Sequence, residues 1–233
     1  MGKCLLSIDW DYFICSKASE YSYIENSKSI LDAWYKRYFI FRKQGKDLQR
    51  LYSLSPEIRD FWMKVKQKFA IEPKVKVYIS DSHVISYKVA KESRCSEVYL
   101  FDAHADLGYG GLASLNFELN CANWLGKLLK EKIIQRANII YSPYAFEKPH
   151  DFREINAIYD VKYLRWENIP TGIEVVAVHI CRSGAWTPPW YDANFLNFIQ
   201  DSGLSNIEFI DFKVRNWNTR DINLSQQIKY MLA

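Results

Sequence analysis

Glu97-Val98-Tyr99-Leu100-Phe101-Asp102-Ala103-His104-Ala105-Asp106 joins an apolar run directly to three ligand-type side chains. The run through Phe101 has the length and the aromatic and aliphatic content of a buried strand. Asp102, His104 and Asp106 stand at i, i+2 and i+4. Alternate residues of a strand share a face. If the strand continues, the spacing predicts that all three point one way, with Ala103 and Ala105 on the other side. Gly108, Gly110 and Gly111 follow, as expected where a chain must turn sharply beside a site.

Six further runs have the same character: Cys4–Ile8, Val75–Ile79, Asn138–Tyr141, Val161–Leu164, Val175–Ile180 and Ile207–Ile210. Short runs rich in β-branched and aromatic residues fit strands buried in a parallel sheet. Stretches with helical spacing lie between them. Ser27–Gln44 carries Ile30, Leu31, Trp34, Tyr35, Tyr38 and Phe39 at steps of three and four. Pro56–Phe69 opens with Ser55 as N-cap and Pro56 at the first helical position. Cys121–Ile134 and Trp190–Gln200 read the same way. Strands alternating with helices predict an α/β domain with a mainly parallel sheet. No repeat or linker interrupts the chain, so residues 1–233 are expected to form a single domain.

Two other runs also end on ligand-type residues. Ile8 is followed by Asp9-Trp10-Asp11, and Ile79 by Ser80-Asp81-Ser82-His83. Open parallel sheets place ligand sites at the C-terminal ends of their strands. Carboxylates buried there are costly unless compensated. With Asp9, Asp11, Asp102 and Asp106 ionised and His83 and His104 neutral, two divalent cations would balance the charge. Oxygen-rich ligation with a minority of imidazole favours Mn2+ over the usual Cys/His set of zinc. Such an ion pair lowers the pKa of a shared water.

The composition sets outer limits. The hydrophobic fraction is 48% and the charged fraction 25%, which excludes a disordered or fibrous chain. A net charge of +4 does not call for nucleic acid. The charge is uneven, however: Lys36–Lys76 holds twelve Lys/Arg against four Asp/Glu. This stretch is either a solvated face or a docking surface for an acidic partner. The five scattered cysteines form no CxxC pair, which argues against a zinc framework or a disulfide scaffold. With no apolar run of about 20 residues and no signal peptide, a cytoplasmic location without a membrane partner is expected.

Asp102-Ala103-His104-Ala105-Asp106 resembles the DAHxD signature of the ureohydrolases, the family of arginase and agmatinase. Ser80-Asp81-Ser82-His83 is similar to the segment that supplies its first histidine ligand. Ser7-Ile8-Asp9-Trp10-Asp11 resembles the front of its SxDxDxxDP signature. The resemblance implies a three-layer α/β/α arginase-like fold and six manganese ligands: Asp9, Asp11, His83, Asp102, His104 and Asp106. Asp102 and Asp9 would bridge two Mn2+ ions. His83 and Asp106 would complete one site, and His104 and Asp11 the other. In ordinary arginases the SxDxD segment comes last. Here it comes first, which implies a metal strand permuted to the N-terminus. That order resembles the peptide arginases of ribosomal peptide natural-product pathways. These convert arginine side chains of a precursor peptide to ornithine and release urea.

Two departures shape the remaining expectations. No histidine follows the DAHxD-like motif where arginases carry a proton shuttle; the matching stretch is Glu118–Trp124. Asp106, Cys121 and His179 are therefore the candidates for catalytic roles. Glu118, Asn123 and Trp186 are the candidates for substrate contacts, with Glu208 a weaker choice for holding a guanidinium. The loop Gly184–Trp190 reads either as packing or as an aromatic wall for an extended peptide. The expected partner is an arginine-containing precursor peptide, with a homo-oligomer left open. Two rivals stand beside this reading. One is an arginase-fold amidohydrolase acting on a free guanidine or an acylated amine. The other is a non-catalytic metal-binding scaffold.

Overall fold

Alternation along one short strand, Cys4–Asp9, feeds two separate cores. Cys4, Leu6 and Ile8 enter one apolar cluster and Leu5 enters another. A strand whose two faces are both apolar is buried from both sides, as a central parallel strand must be. The computed structural model, which describes residues 2–17 and 30–232, builds outward from this strand. In chain order the elements are β1 (Cys4–Asp9), β2 (Ile14–Ser16), α1 (Ile30–Lys43), β3 (Tyr52–Leu54), α2 (Phe61–Lys68), β4 (Phe69–Ala70), β5 (Lys76–Ser80), α3 (Ile85–Ser93), β6 (Glu97–Asp102), α4 (Trp124–Lys130), β7 (Arg136–Tyr141), α5 (Arg153–Asn156), β8 (Asp160–Tyr163), β9 (Ile173–Cys181), α6 (Asp192–Asp201), β10 (Ile207–Ile210) and α7 (Leu224–Leu232).

The main sheet runs β10-β5-β9-β1-β6-β7-β8, with β4 added against the start of β9. All its pairings are parallel. A separate antiparallel pair joins β2 to β3. On one face, Phe61, Trp62 and Val65 of α2 and Phe195, Phe198 and Ile199 of α6 pack against Leu6, Ile8, Phe101 and Ile180. On the other, Val89 and Ala90 of α3 and Trp124, Leu125 and Leu128 of α4 cover Leu5, Leu100, Ile139 and Ala177. The protein is thus α/β with a mainly parallel sheet covered on both faces, an arrangement compatible with three α/β/α layers.

All seven expected strands are present, with ends moved by a few residues. The helices are shorter than their apolar patterns. Of the expected Ser27–Gln44 helix, residues 27–29 lie outside the described residues, and α1 runs to Lys43. Pro56–Arg59 forms a 3₁₀ turn in which Ser55 Oγ accepts from the Glu57 amide at 3.3 Å. The α-helix begins only at Phe61. Cys121–Ile134 contracts to α4, and α6 starts at Asp192 after a 3₁₀ turn at Pro189–Tyr191.

Directly after β1 the chain enters a 3₁₀ turn, Trp10–Phe13, whose residues are all buried. Trp10 packs on Phe13, Phe195 and Phe198. Phe61 meets Tyr12, Phe13, Phe101, Trp166 and Phe198. This aromatic mass anchors the segment that carries Asp9 and Asp11. Removing its centre by Phe61→Ala should destabilise the fold by about 3–5 kcal/mol, read as a lower urea midpoint at unchanged slope. A loss below about 1 kcal/mol would show that the ring is not packed as described.

Candidate metal centre

Three strand ends and one helix start converge at the C-terminal edge of the sheet, but not by the route the alternation rule suggested. The strand carrying Asp102 stops at that residue, and Ala103–Asp106 leave it as a bend. Asp106 adopts a left-handed backbone, φ 51°. Ala103, expected to face away, lines the cavity. Likewise β1 ends at Asp9, and Asp11 sits in the following turn, where Asp9 Oδ1 accepts from the Asp11 amide at 3.0 Å. Tight turns, rather than a shared strand face, bring these carboxylates together.

The turns are held from below. The Asp106 carbonyl accepts from the amides of Leu125 and Gly126 at 3.1 and 3.3 Å. Gly126 is needed there, because a Cβ would stand 2.3 Å from the Leu107 carbonyl oxygen. Trp124 Nε1 donates to Asp106 Oδ2 at 2.6 Å. The Ala103 amide donates to Asp11 Oδ1 at 3.2 Å, and the His104 amide to Asp102 Oδ1 at 2.8 Å.

The six expected ligand residues come together. His83 Nδ1 lies 3.1 Å from Asp9 Oδ2, 3.0 Å from Asp102 Oδ2 and 2.9 Å from Asp106 Oδ2. His104 Nδ1 lies 2.9 Å from Asp11 Oδ2 and 3.5 Å from Asp102 Oδ1. Asp9, His83 and Asp102 form one potential metal-holding group, and Asp11, Asp102 and His104 another, with Asp102 shared. Despite the short separations, His83 Nδ1, Asp102 Oδ2 and Asp11 Oδ2 are buried without a hydrogen-bond partner. The distances allow bonds but the directions do not. One nitrogen facing three carboxylate oxygens at nearly equal range fits atoms arranged around a point. Neighbouring ligands of a hard divalent ion held octahedrally at about 2.1 Å lie ~3 Å apart. The residues present therefore fit a divalent cation.

Charge perturbations follow from this crowding. Burial, with the charge of Asp11, pushes the Asp9 carboxyl up to about 6. Burial raises Asp102 well above the usual carboxylate range, reinforced by Asp11, Asp106 and Asp9. Burial would also raise Asp11, but the His104 imidazole outweighs it and holds that carboxyl low. For His83 burial works against protonation, yet the carboxylates of Asp102, Asp106 and Asp9 lift it well above the ordinary imidazole value. Asp11 and Asp102 do the same for His104 against its burial.

A cavity of about 680 Å³ opens above this cluster. Cys121 and Trp186 line it, with the Trp186 ring 5.3 Å from that of His104. Four other expectations change. Glu118 is exposed and lies off the cavity. The Asn123 side chain is spent on its own loop, donating to the carbonyls of Ser114 and Glu118 and accepting from the Asn120 amide. His179 is fully buried behind His83, with both ring nitrogens on serine hydroxyls, and it does not line the cavity. Glu208, on β10, is exposed and also away from the cavity.

Sequence reasoning missed Glu147 and Ser183, both on the cavity wall. Glu147 accepts from the Ala105 amide at 2.8 Å and from the Tyr109 hydroxyl. Burial pushes its carboxyl up to about 7, opposed by His104. Ser183, at a left-handed φ of 47°, donates to Asp9 Oδ2. Ser183 follows closely on the end of β9, so the strand-end rule that found the aspartates could have found it, whereas Glu147 lies well past the end of β7 and is marked only by contacts distant in sequence.

Arg182 braces the site from outside. Its Nε and Nη2 donate to the two Asp81 oxygens at 2.5 and 2.7 Å, and Nη1 donates to Asp192 at 3.0 Å. The bidentate pair ties the loop of His83 to the end of β9.

Comparisons with protein-family models, curated proteins and solved structures return no match. Geometry and the chemistry of the donor set therefore carry the reading of this site.

Two measurements test the centre. The metal-free folded protein binds protons at Asp9, Asp102, His83 and His104 more tightly than the unfolded chain does. The Asp9 contribution should be present below the ordinary value of 3.8 and disappear as pH rises through about 6. The two imidazole contributions should be full below 6.5 and fade above it. Cations compete with those protons, so the rise in Tm on adding Mn2+ should grow from about pH 5 to about pH 8. A rise that is flat or shrinks over that range would count against the site. Asp102→Asn, which removes the shared carboxylate charge, should abolish Mn2+ uptake measured by elemental analysis.

Proposed function

We propose that this chain is a divalent-metal-dependent C–N hydrolase of the arginase type. Its substrate would be arginine side chains carried in a peptide, which it would convert to ornithine with release of urea. The observation that supports this reading is the unpartnered His83 Nδ1 facing three carboxylate oxygens beneath an open cavity. That cluster also bears the order of motifs that resembles the peptide arginases, with β1 as the permuted metal strand.

Asp9, Asp11, His83, Asp102, His104 and Asp106 would hold Mn2+, with Asp102 shared between two positions. Bound divalent ions supply Lewis-acid activation of water at neutral pH. The remaining work falls to the chain. Glu147 accepts hydrogen bonds on both oxygens and stands beside the proposed metal ligands on the cavity wall. It offers the counter-charge for a guanidinium, a planar cation suited to carboxylate recognition. Ile14, Tyr52, Tyr144, Phe146 and Trp186 give the cavity apolar walls. A cavity of about 680 Å³ with such walls suits a chain segment better than a single free amino acid. In the reaction the guanidinium C–Nε bond breaks. The water oxygen stays on the urea carbon, and both water hydrogens end on the leaving nitrogen, released as an ammonium group. Cys121 and Tyr109 are among the wall residues able to relay a proton.

The basic stretch Lys36–Lys76 would dock an acidic portion of the precursor. It would act through Arg42, Lys43, Lys46, Arg50, Arg59 and Lys66, which are exposed. Arg37 is excluded from that surface: it is buried over the Trp34 ring and donates to the Ala185 carbonyl.

Manganese-loaded protein should release urea from an arginine-containing peptide faster than from free arginine or agmatine. Turnover of free arginine alone would overturn the peptide substrate, and no urea from any of the three would overturn the activity. Glu147→Gln should lower kcat/KM by about ten- to a hundred-fold, the worth of one charged hydrogen bond, while manganese content stays at the wild-type level.

A further inference from the structure

Behind the metal ligands lies a chain of polar side chains that the reaction does not use. Ser7, His179 and Ser80 come from adjacent strands β1, β9 and β5. The register sets Ser7 beside His179 and Ser80 beside Cys181. Strand alternation turns these side chains toward α3, which adds Ser86 and is preceded by His83. All five are buried. His83 Nε2 is 2.8 Å from Ser7 Oγ, and Ser7 Oγ is 2.8 Å from Ser86 Oγ. Ser86 Oγ is 2.5 Å from His179 Nδ1, and His179 Nε2 is 2.8 Å from Ser80 Oγ. The chain ends where Ser80 Oγ donates to the Ser82 carbonyl at 2.9 Å.

That last bond fixes the direction of all the others. A carbonyl can only accept, and a hydroxyl has one hydrogen. Ser80 has given its hydrogen to Ser82, so it must accept from His179 Nε2–H. The His179 ring is sealed from water and both of its nitrogens meet serine hydroxyls rather than a carboxylate, so the geometry offers a positive charge no counter-ion and the ring is neutral. Its Nδ1 is then bare and accepts from Ser86. Ser86 must accept from Ser7, and Ser7 must accept from His83 Nε2–H. With a proton committed on Nε2, Nδ1 is the nitrogen of His83 left for a cation, and it is the atom that faces Asp9, Asp102 and Asp106 without a hydrogen bond.

We propose that Ser7, Ser86, His179 and Ser80 form a one-way hydrogen-bond relay, anchored on the Ser82 carbonyl, that holds His83 as its Nε2–H tautomer and aims Nδ1 at the carboxylate cluster. His179 is thus a positioning residue, acting through His83. The inference deepens the metal-centre reading and rests on it only for the consequence, not for the tautomers themselves.

The tautomers can be read directly. The chain has only four histidines, so long-range ¹H–¹⁵N correlations of ¹⁵N-histidine-labelled protein resolve each ring. A proton on Nε2 of both His83 and His179, with His179 bare at Nδ1, is the expected result with or without Mg2+. A proton on His179 Nδ1, or a bare His83 Nε2, would overturn the relay. For the consequence, His179→Leu should weaken Mn2+ binding by about ten- to a hundred-fold, measured by calorimetric titration. His179→Asn, whose amide oxygen takes the place of Nδ1 as acceptor for Ser86, should recover most of that loss. If the leucine variant does not fold, Ser86→Ala breaks the same chain from the first turn of α3 with a smaller change in volume, and should show the same weakening and a changed His83 tautomer. Wild-type affinity in a folded His179→Leu or Ser86→Ala protein would overturn the positioning role. Failure of the wild type to bind Mn2+ would instead overturn the metal reading, with the tautomer spectrum still deciding the relay.

Discussion

Asp9, Asp11, Asp102 and Asp106 are nearly sealed from water and face one another across two imidazoles. At an effective dielectric of about 20, two unit charges ~4 Å apart repel by about 4 kcal/mol. A protein that folds with such a cluster must neutralise it with protons or with cations. The raised Asp9, Asp102, His83 and His104 show the proton solution in the metal-free state. The unpartnered Nδ1 and carboxylate oxygens show that protons fit the geometry poorly. A divalent cation would satisfy both the charge and the directions.

Holding these groups together against their repulsion falls to the rest of the fold. Aromatic packing around Trp10 and Phe61 fixes the turn that carries Asp11. The start of α4 holds Asp106 through backbone amides and the Trp124 indole. Arg182 clamps the His83 loop through Asp81, and Arg215 shares Asp192 with it. A buried ion pair of this kind contributes little net stability, but loss of one partner is expensive because the other charge is left uncompensated. The arrangement is therefore sensitive to change on every side, as expected where groups must be preorganised.

Much of this was legible in residue order. The strands declared themselves because both faces of a central parallel strand are largely apolar, and Ser7 in Cys4–Ile8 and Glu97 in Glu97–Phe101 are too isolated to confuse the pattern. The six ligand candidates were legible because carboxylates and imidazoles directly after such runs have no ordinary reason to be buried. Short elements escaped. Ile85–Ser93 is too brief for its period to stand out, and β2, β3 and β4 span only two or three residues. Asn123 looked like a site residue from its distance to the motif, yet three hydrogen bonds spend it on its own loop. Glu147 went unnoticed because its importance comes from the Ala105 amide and the Tyr109 hydroxyl, both about forty residues away in sequence.

The sequence by itself determined the α/β class of fold and the Asp and His residues of the central cluster, because hydrophobic period and residue type are local properties. Tertiary structure alone decided how that inventory converges. Turns after Asp9 and Asp102, rather than continuing strands, aim the carboxylates inward. The placement of β9 between β1 and β5 sets His179 behind the carboxylate cluster and not within it. The single hydrogen on each serine then fixes which nitrogen of His83 is free. That depends on which hydroxyl lies within reach of which acceptor, and only packing across the sheet settles it.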